Sequence, residues 1–368
     1  MRTLPKRSYR YILADPYTPK EGALARGLRF IMNLYDKNGY LDFDRIASLP
    51  VPFIFIYGGR GSGKTFGALK YVIEHNIRFI FTRRMVKEYN MVSRSETSPF
   101  KKLNRKYNWT LDIKHIVGDV SGIYNGGEGA PIGYMTALVA VANIRGMDFS
   151  DCDWWIYDEF IPEEHVRSIK GEGEAFMNAY ETFSRNRELE GEKPMKVVCL
   201  ANANRLANPI FMELDLVMIS ERMKRTKQNF WMDKERGVAL IDPWDSPKSE
   251  EKEETALYRL VNKNSEFYKM AIKNEFKDLD EAEPVSRNLK EYVPVVRIGE
   301  ITLYKHKTRR AYYCSTHHQG SCPTYRNSDI DRQRCLNKFT WIPEQYLTNS
   351  IEFESYLCEA LFNKYLFT

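Results

Sequence analysis

No stretch of this chain supplies ~18 consecutive uncharged apolar residues, so no membrane-spanning helix is expected. The first residues, Met1-Arg2-Thr3-Leu4-Pro5-Lys6-Arg7, are basic but lack the apolar run of a secretory signal, and a cytosolic protein is expected. Cysteine is scarce. Cys152, Cys199, Cys314, Cys322, Cys335 and Cys358 are scattered through 368 residues, unlike the dense framework of a secreted disulfide scaffold, and are read as reduced thiols. No internal repeat is visible, and neither sign of charge dominates. Lys plus Arg number 55 against 49 for Asp plus Glu, and the net charge of +6 is compatible with a polyanionic partner without establishing one. What is present, 43% hydrophobic and 28% charged residues, is an ordinary globular composition, long enough for two domains.

Pro52 to Tyr57 (Pro-Phe-Ile-Phe-Ile-Tyr) is a short continuous apolar run followed by glycines, the pattern of a strand buried on both faces of a parallel sheet. Phe79 to Thr82, Trp154 to Tyr157 and Val197 to Leu200 repeat it, while Thr65 to Glu74 and Glu172 to Phe183 read as helices. This alternation predicts an α/β fold with a mainly parallel sheet. The glycine-rich segment between Trp109 and Ile144 reads as β-hairpins added to that sheet. A turn and charge run from Pro243 to Glu254 marks a linker, Thr255 to Phe276 shows roughly helical spacing, and Val293 onward alternates before an apolar helix around Ile351 to Leu366. The expected division is a larger α/β domain over 1–245, a linker with a short helical module over 246–285, and a small α+β domain over 286–368.

Gly58-Gly59-Arg60-Gly61-Ser62-Gly63-Lys64-Thr65 fits G-x-x-x-x-G-K-[ST] between an expected strand and an expected helix. Backbone N–H groups of such a loop face phosphate oxygens, Lys64 reaches the β- and γ-phosphates of ATP, and Thr65 serves as a Mg2+ ligand. Asp158-Glu159 ends a later buried strand, where ligands of open α/β sheets collect. Asp158 is expected to hold hydrated Mg2+, and Glu159 to orient and polarise the attacking water. A small-molecule kinase does not need that second carboxylate, so the pair favours hydrolysis. Asn202, ending the next strand, is cast as a sensor of the γ-phosphate. Arg145, Arg185 and Arg187 are candidate arginine fingers, a group often donated by a neighbouring subunit.

Basic clusters at Arg83-Arg84 with Lys87, at Lys101, Lys102, Arg105 and Lys106, at Arg222, Lys224, Arg225 and Lys227, and at Lys305, Lys307, Arg309 and Arg310 are of the kind that follows a phosphate backbone. The Lys101 and Lys224 groups flank the ATPase core and are preferred for DNA contact. Cys314, His317, His318 and Cys322, with Cys335 further on, have zinc-binding side chains at a spacing that matches no standard finger, and are read as reduced thiols and loop histidines.

Gly58 to Thr65, Phe79 to Arg84, Ile156 to Ile161, Arg185 to Glu188 and Leu200 to Ala203 with Asn208-Pro209 together resemble the DNA-encapsidation ATPases of small short-tailed phages, the phi-29-type packaging motors. The resemblance covers about residues 50 to 215. It implies a P-loop NTPase of the ASCE type in a homopentameric ring, docked at the portal vertex of a prohead in the host cytoplasm and drawing in double-stranded DNA. Arg145 and Arg185 occupy places where that family keeps basic residues thought to act in trans. For the C-terminal part it implies an RNase H-like domain that has lost its nuclease function. A two-metal nuclease needs several carboxylates on strand ends, and Val295 to Tyr304 offers only Glu300. That domain is then a platform for DNA, prohead or packaging RNA. The rival readings are a terminase with an active C-terminal nuclease and a nucleotide-gated DNA-binding ring without productive turnover.

Overall fold

Nine strands form the larger sheet: β1 (Phe53–Ile56), β2 (Phe79–Arg83), β3 (Leu111–Val117), β4 (Val120–Asn125), β5 (Gly133–Ala137), β6 (Trp154–Asp158), β7 (Lys196–Leu200), β8 (Phe230–Asp233) and β9 (Val238–Ile241). Their spatial order is β3-β4-β5-β2-β6-β7-β1-β9-β8. From β5 across to β9 every neighbouring pair is parallel, and antiparallel partners close both edges. The computed structural model describes residues 32–127, 129–162, 169–202, 205–265, 268 and 284–367. The basic N-terminal residues, Ala203, and Phe267, Met270 and Phe276 of the expected helical module lie outside the described residues.

Each central strand is apolar on both sides because each side meets its own helical layer. Ile54, Ile56, Phe79, Phe81, Trp154, Ile156, Val198 and Leu200 face one layer, made by α1 (Phe43–Ala47), α2 (Lys64–Glu74), α3 (Val86–Val92) and α4 (Phe100–Tyr107). Phe55, Tyr57, Ile80, Trp155, Tyr157, Val197 and Cys199 face the other, made by α5 (Glu172–Ser184), α6 (Pro209–Glu213) and α7 (Val217–Thr226). Strand residues i and i+2 share a side, so consecutive apolar residues go alternately to the two cores. In α2, Ala68, Leu69, Val72 and Ile73 make the buried stripe.

The glycine-rich segment forms β3, β4 and β5. Its hairpins are present, but β5 also pairs parallel with β2 and so belongs to the central sheet. Strands β8 and β9, not foreseen in the sequence, place Val238–Ile241 beside β1. After α8 (Pro247–Lys252) and α9 (Ala256–Leu260), a five-stranded sheet follows: β10 (Tyr292–Ile298), β11 (Ile301–His306), β12 (Tyr312–Ser315), β13 (Thr324–Tyr325) and β14 (Ile351–Phe353), in the order β13-β10-β11-β12-β14. The first three form an antiparallel meander, and the two edge strands join in parallel. Helices α10 (Asp329–Lys338), α11 (Ile342–Leu347) and α12 (Tyr356–Leu366) accompany it, and the core against them includes Cys314, Cys335 and Cys358.

The single helix expected around Ile351 to Leu366 is two elements. Ile351 and Phe353 point into the core as a strand beside β12, and Ser355 then caps α12 by accepting from the Cys358 amide at 3.0 Å. The two sheets are joined through α7. Glu221 on α7 accepts from the Leu357 amide at 3.2 Å, and the Lys224 ammonium lies 5.4 Å from the Tyr356 ring centroid. Among the described residues no helix is long and apolar enough to cross a membrane, and all six cysteines carry free thiols.

Arg84 and Glu172 are buried to 1% and 0% exposure and meet through two hydrogen bonds of 2.7 and 2.8 Å, with the Tyr157 hydroxyl donating to the same carboxylate at 3.2 Å. Arg84 is therefore an internal clamp between β2 and α5 and not the phosphate-tracking surface residue expected from its neighbours in sequence. Removing one partner strands a buried charge. Glu172→Gln is expected to lower unfolding free energy by about 3 kcal/mol in urea titrations, whereas replacing both partners with apolar residues costs less. Equal losses for the single and double variants would contradict the clamp.

Candidate nucleotide site

Parallel strands end on one side, so the residues after β1, β2, β6, β7 and β9 gather along one edge of the sheet. After β1 the chain turns through Gly58 to Gly63 and enters α2 at Lys64. Gly59 has φ +55°, and a Cβ there would come within 2.6 Å of Pro243 Cγ and 2.8 Å of its carbonyl oxygen. Gly63, at φ +87°, has Tyr40 Cδ1 3.0 Å from the place of its missing Cβ. Left-handed backbone and close walls make glycine necessary at both. The loop is pinned on its outer side by the Leu41 amide, which donates to the Ser62 carbonyl at 3.0 Å. Arg60 and Gly61 are exposed, Ser62 is buried, and the Lys64 ammonium donates to the carbonyls of Gly58 and Gly59, the latter at 2.9 Å.

Thr65 Oγ1 donates to Asp158 Oδ1 at 2.9 Å, bridging the first turn of α2 to the end of β6. The second carboxylate oxygen, Asp158 Oδ2, is buried without a hydrogen-bond partner and faces Arg83 Nη2 at 2.9 Å in an ion pair. A hydroxyl and a carboxylate with one oxygen left over are hard oxygen ligands suited to Mg2+, so these residues fit that ion. When bound, it would neutralise charge on the phosphates.

Glu159 follows in left-handed backbone, φ 56°, a conformation that costs a non-glycine residue about 1–3 kcal/mol and turns its side chain away from the strand direction. Asn202, after β7, holds it: Asn202 Nδ2 donates to Glu159 Oε1 at 2.6 Å and the Asn202 amide to Oε2 at 3.4 Å. Burial, and then the charge of Asp158, push the Glu159 carboxyl above its ordinary range, while Arg83 and Lys64 pull it down. A carboxylate whose hold on a proton is raised in this way is better suited to accept one from water.

The arginines divide. α5 carries the chain away from this edge, and Arg187 emerges at the start of β6, buried, donating to the Cys152 carbonyl at 2.9 Å and to Asp153 Oδ1 at 2.8 Å. Its guanidinium is a structural tie, which disagrees with the finger role expected for it. Arg185 has φ 48°, is exposed, and donates to the Met147 carbonyl, so it sits against the loop that carries the exposed Arg145. Arg185 thus follows a helix that leads away from the phosphate loop of its own chain.

Lys101, Lys102, Arg105 and Lys106 are exposed on α4. The Lys102 and Lys106 ammoniums lie 5.3 and 5.2 Å from the ring centroid of Phe66, next to Thr65. Arg225 is exposed, whereas Lys224 is half-buried against Tyr356, which disagrees with a free DNA-contacting lysine. The zinc-like residues disperse: Cys314 is buried, His317 pairs with Glu354 at 2.7 Å, and His318 meets Thr302 Oγ1 at 3.1 Å. Among the described residues no group of three or more His, Cys, Asp or Glu side chains gathers as a metal site. Arg83 and Asp242 were missed as site residues. A charged residue ending a buried strand is the signal that could have found each.

The model of the family described as podovirus DNA encapsidation protein (Gp16) matches residues 33–322. The chain is 27% identical over 253 residues to the DNA packaging proteins of Bacillus phages PZA and phi29, covering 66% of this chain and 65% of each relative. It spans about two thirds of the length of those relatives. Among solved structures, it resembles a chain of the bacteriophage Phi-29 viral genome packaging motor assembly with a TM-score of 0.60 at 18% identity, covering 88% of this chain and 99% of that one. For the Phi-28 gp11 DNA packaging motor the values are 0.59 and 18%, covering 90% and 99%. These likenesses show the fold.

Asp242, after β9, is buried beside the phosphate loop. Burial pushes its carboxyl up to about 7, with Lys224 and Lys64 opposing and Asp245 adding to the rise. An acid whose folded pKa exceeds its unfolded value binds its proton more tightly in the fold, so stability falls as pH rises between about 4 and about 7. Asp242→Asn is expected to remove a loss on the order of 1–3 kcal/mol across that window in urea titrations. An unchanged pH profile in the variant would contradict the assignment.

Proposed function

This chain belongs to the family of podovirus DNA encapsidation proteins (Gp16), and on that premise we propose that it hydrolyses ATP to ADP and phosphate to drive double-stranded DNA into a viral prohead. The observation that carries the reading is the meeting, behind one phosphate loop, of Thr65 with Asp158 and of Glu159 with Asn202. In the proposed reaction the loop amides and Lys64 hold the phosphates, Thr65 and Asp158 hold Mg2+, Glu159 takes the proton of the attacking water, and Asn202 aligns Glu159.

Arg145 and Arg185 are proposed to serve the site of a neighbouring subunit in a homopentameric ring at the portal vertex, within the host cytoplasm. Arg185 follows α5 and contacts Met147 on the loop that carries Arg145, and this shared location at the far end of α5 supports action in trans. DNA is assigned to Lys101, Lys102, Arg105 and Lys106, and to Arg225. The contact of α4 with Phe66 supports that choice, since it sets a basic surface against the phosphate-loop helix. The C-terminal domain is proposed as a vestigial nuclease that serves as a platform for prohead, portal or packaging RNA.

Steady-state phosphate release with and without double-stranded DNA is the primary test, with stimulation by DNA expected. Glu159→Gln is expected to keep nucleotide affinity and lose at least about 100-fold in turnover, and normal turnover would refute the role given to Glu159. Replacing Lys102 and Lys106 together with Ala is expected to reduce DNA stimulation and to flatten the salt dependence of DNA binding by about two units of slope. An unchanged slope would remove α4 from the DNA surface.

A further inference from the structure

Two consecutive arginines end β2, and they are held very differently. Arg84 is locked to Glu172 by two hydrogen bonds, which anchors the strand end. Arg83 reaches the opposite way, into the nucleotide site, where its guanidinium stands 2.9 Å from Asp158 Oδ2. That pairing lacks hydrogen-bond geometry: Asp158 Oδ2 and Arg83 Nε are both buried and both without a hydrogen-bond partner. A charge-assisted hydrogen bond would be about twice as strong as a neutral one, so this ion pair is held by charge and leaves its polar atoms unsatisfied.

The charge balance gives the contact a purpose. Asp158 and Glu159 are adjacent carboxylates in a site largely shielded from water, and Lys64 is turned toward the carbonyls of Gly58 and Gly59. Without a further cation the two carboxylates would face each other across low dielectric. Arg83 supplies that cation, and it does so at the oxygen left open for a divalent ion.

Resting on the Mg2+–nucleotide reading of this site, we propose that Arg83 is a resident counter-ion that occupies Asp158 in the empty protein and must yield it when Mg2+ enters with nucleotide. Arg83 is then a positioning residue acting through Asp158. It keeps the carboxylate aimed between nucleotides, and it competes with the metal. Once displaced, its guanidinium remains beside the phosphates because Arg84 fixes the strand end.

The test compares the affinity of a fluorescent ADP analogue in Mg2+ with that in EDTA, for the full chain. In Arg83→Gln the competitor for Asp158 is gone, which strengthens binding with Mg2+. A positive charge is also lost, which weakens binding without it. Both effects raise the ratio of the two affinities, by about tenfold, or ~1.4 kcal/mol. Arg83→Lys, which keeps the charge, is expected to stay close to the wild-type ratio. A merely structural role weakens both affinities alike and leaves the ratio unchanged, and an unchanged or lowered ratio in Arg83→Gln overturns the proposal. If the wild-type chain binds the analogue in neither buffer, the nucleotide reading fails and this inference falls with it.

Discussion

Parallel pairing in register between β6, β7 and β1 is the constraint from which the site follows. Asp158 lies opposite Leu200 on β7, and Leu200 lies opposite Ile56 on β1. Three chain segments far apart in sequence therefore leave the sheet at one level, and each leaves through a polar turn: Gly58 onward, Asp158-Glu159, and Ala201-Asn202. The Thr65–Asp158 hydrogen bond joins the first two turns, and the Glu159–Asn202 hydrogen bond joins the last two. A slip of one residue in any pair would turn the strand's side chains to the opposite core and pull these groups apart. The two buried cores, one on each face, are what hold the register.

Charge is arranged around that edge with equal economy. Two acids at the end of β6, a lysine folded onto the loop and an arginine from β2 lie in a confined space, and a third acid, Asp242, flanks the loop just after β9. Each is partly compensated by a neighbour. On the far side, α7 touches both sheets: Met223 accepts from the Tyr57 hydroxyl at 3.8 Å, immediately before the loop, and Glu221 receives the start of α12. The five-stranded sheet and its helices are thus packed on a helix that also contacts Tyr57, at the entry to the phosphate loop.

Much of the core fold was legible because it is written locally. Phe53 to Ile56 and Trp154 to Tyr157 are continuous apolar runs, which two-faced burial requires, and the phosphate loop is a contiguous signal. Features set by tertiary pairing were not legible. Arg83 and Arg84 look alike in sequence, and only the pairing of β2 with β6 sends one to Asp158 while the other meets Glu172 on α5. Lys224 reads as a surface base until α12 arrives to cover it. Arg187 reads as a candidate arginine finger until the start of β6 engages it. Val238 to Ile241 is as short and apolar as Phe53 to Ile56 but stands directly before the turn read as a linker, and only its parallel pairing with β1 assigns it to the central sheet; Ile351 to Phe353 is hidden in front of the stronger helical pattern it precedes. The role proposed for Arg145 and Arg185 involves a second copy of the chain, which no intrachain pattern encodes.

The central claim is that this strand edge binds Mg2+–ATP between the loop, Thr65 and Asp158. The most direct measurement is a structure determined with Mg2+ and a non-hydrolysable ATP analogue. The account predicts the triphosphate along Gly58 to Thr65, the metal between Thr65 and Asp158, and Arg83 withdrawn from Asp158. A nucleotide seated elsewhere, or Asp158 still paired with Arg83 while the nucleotide is bound, would contradict it.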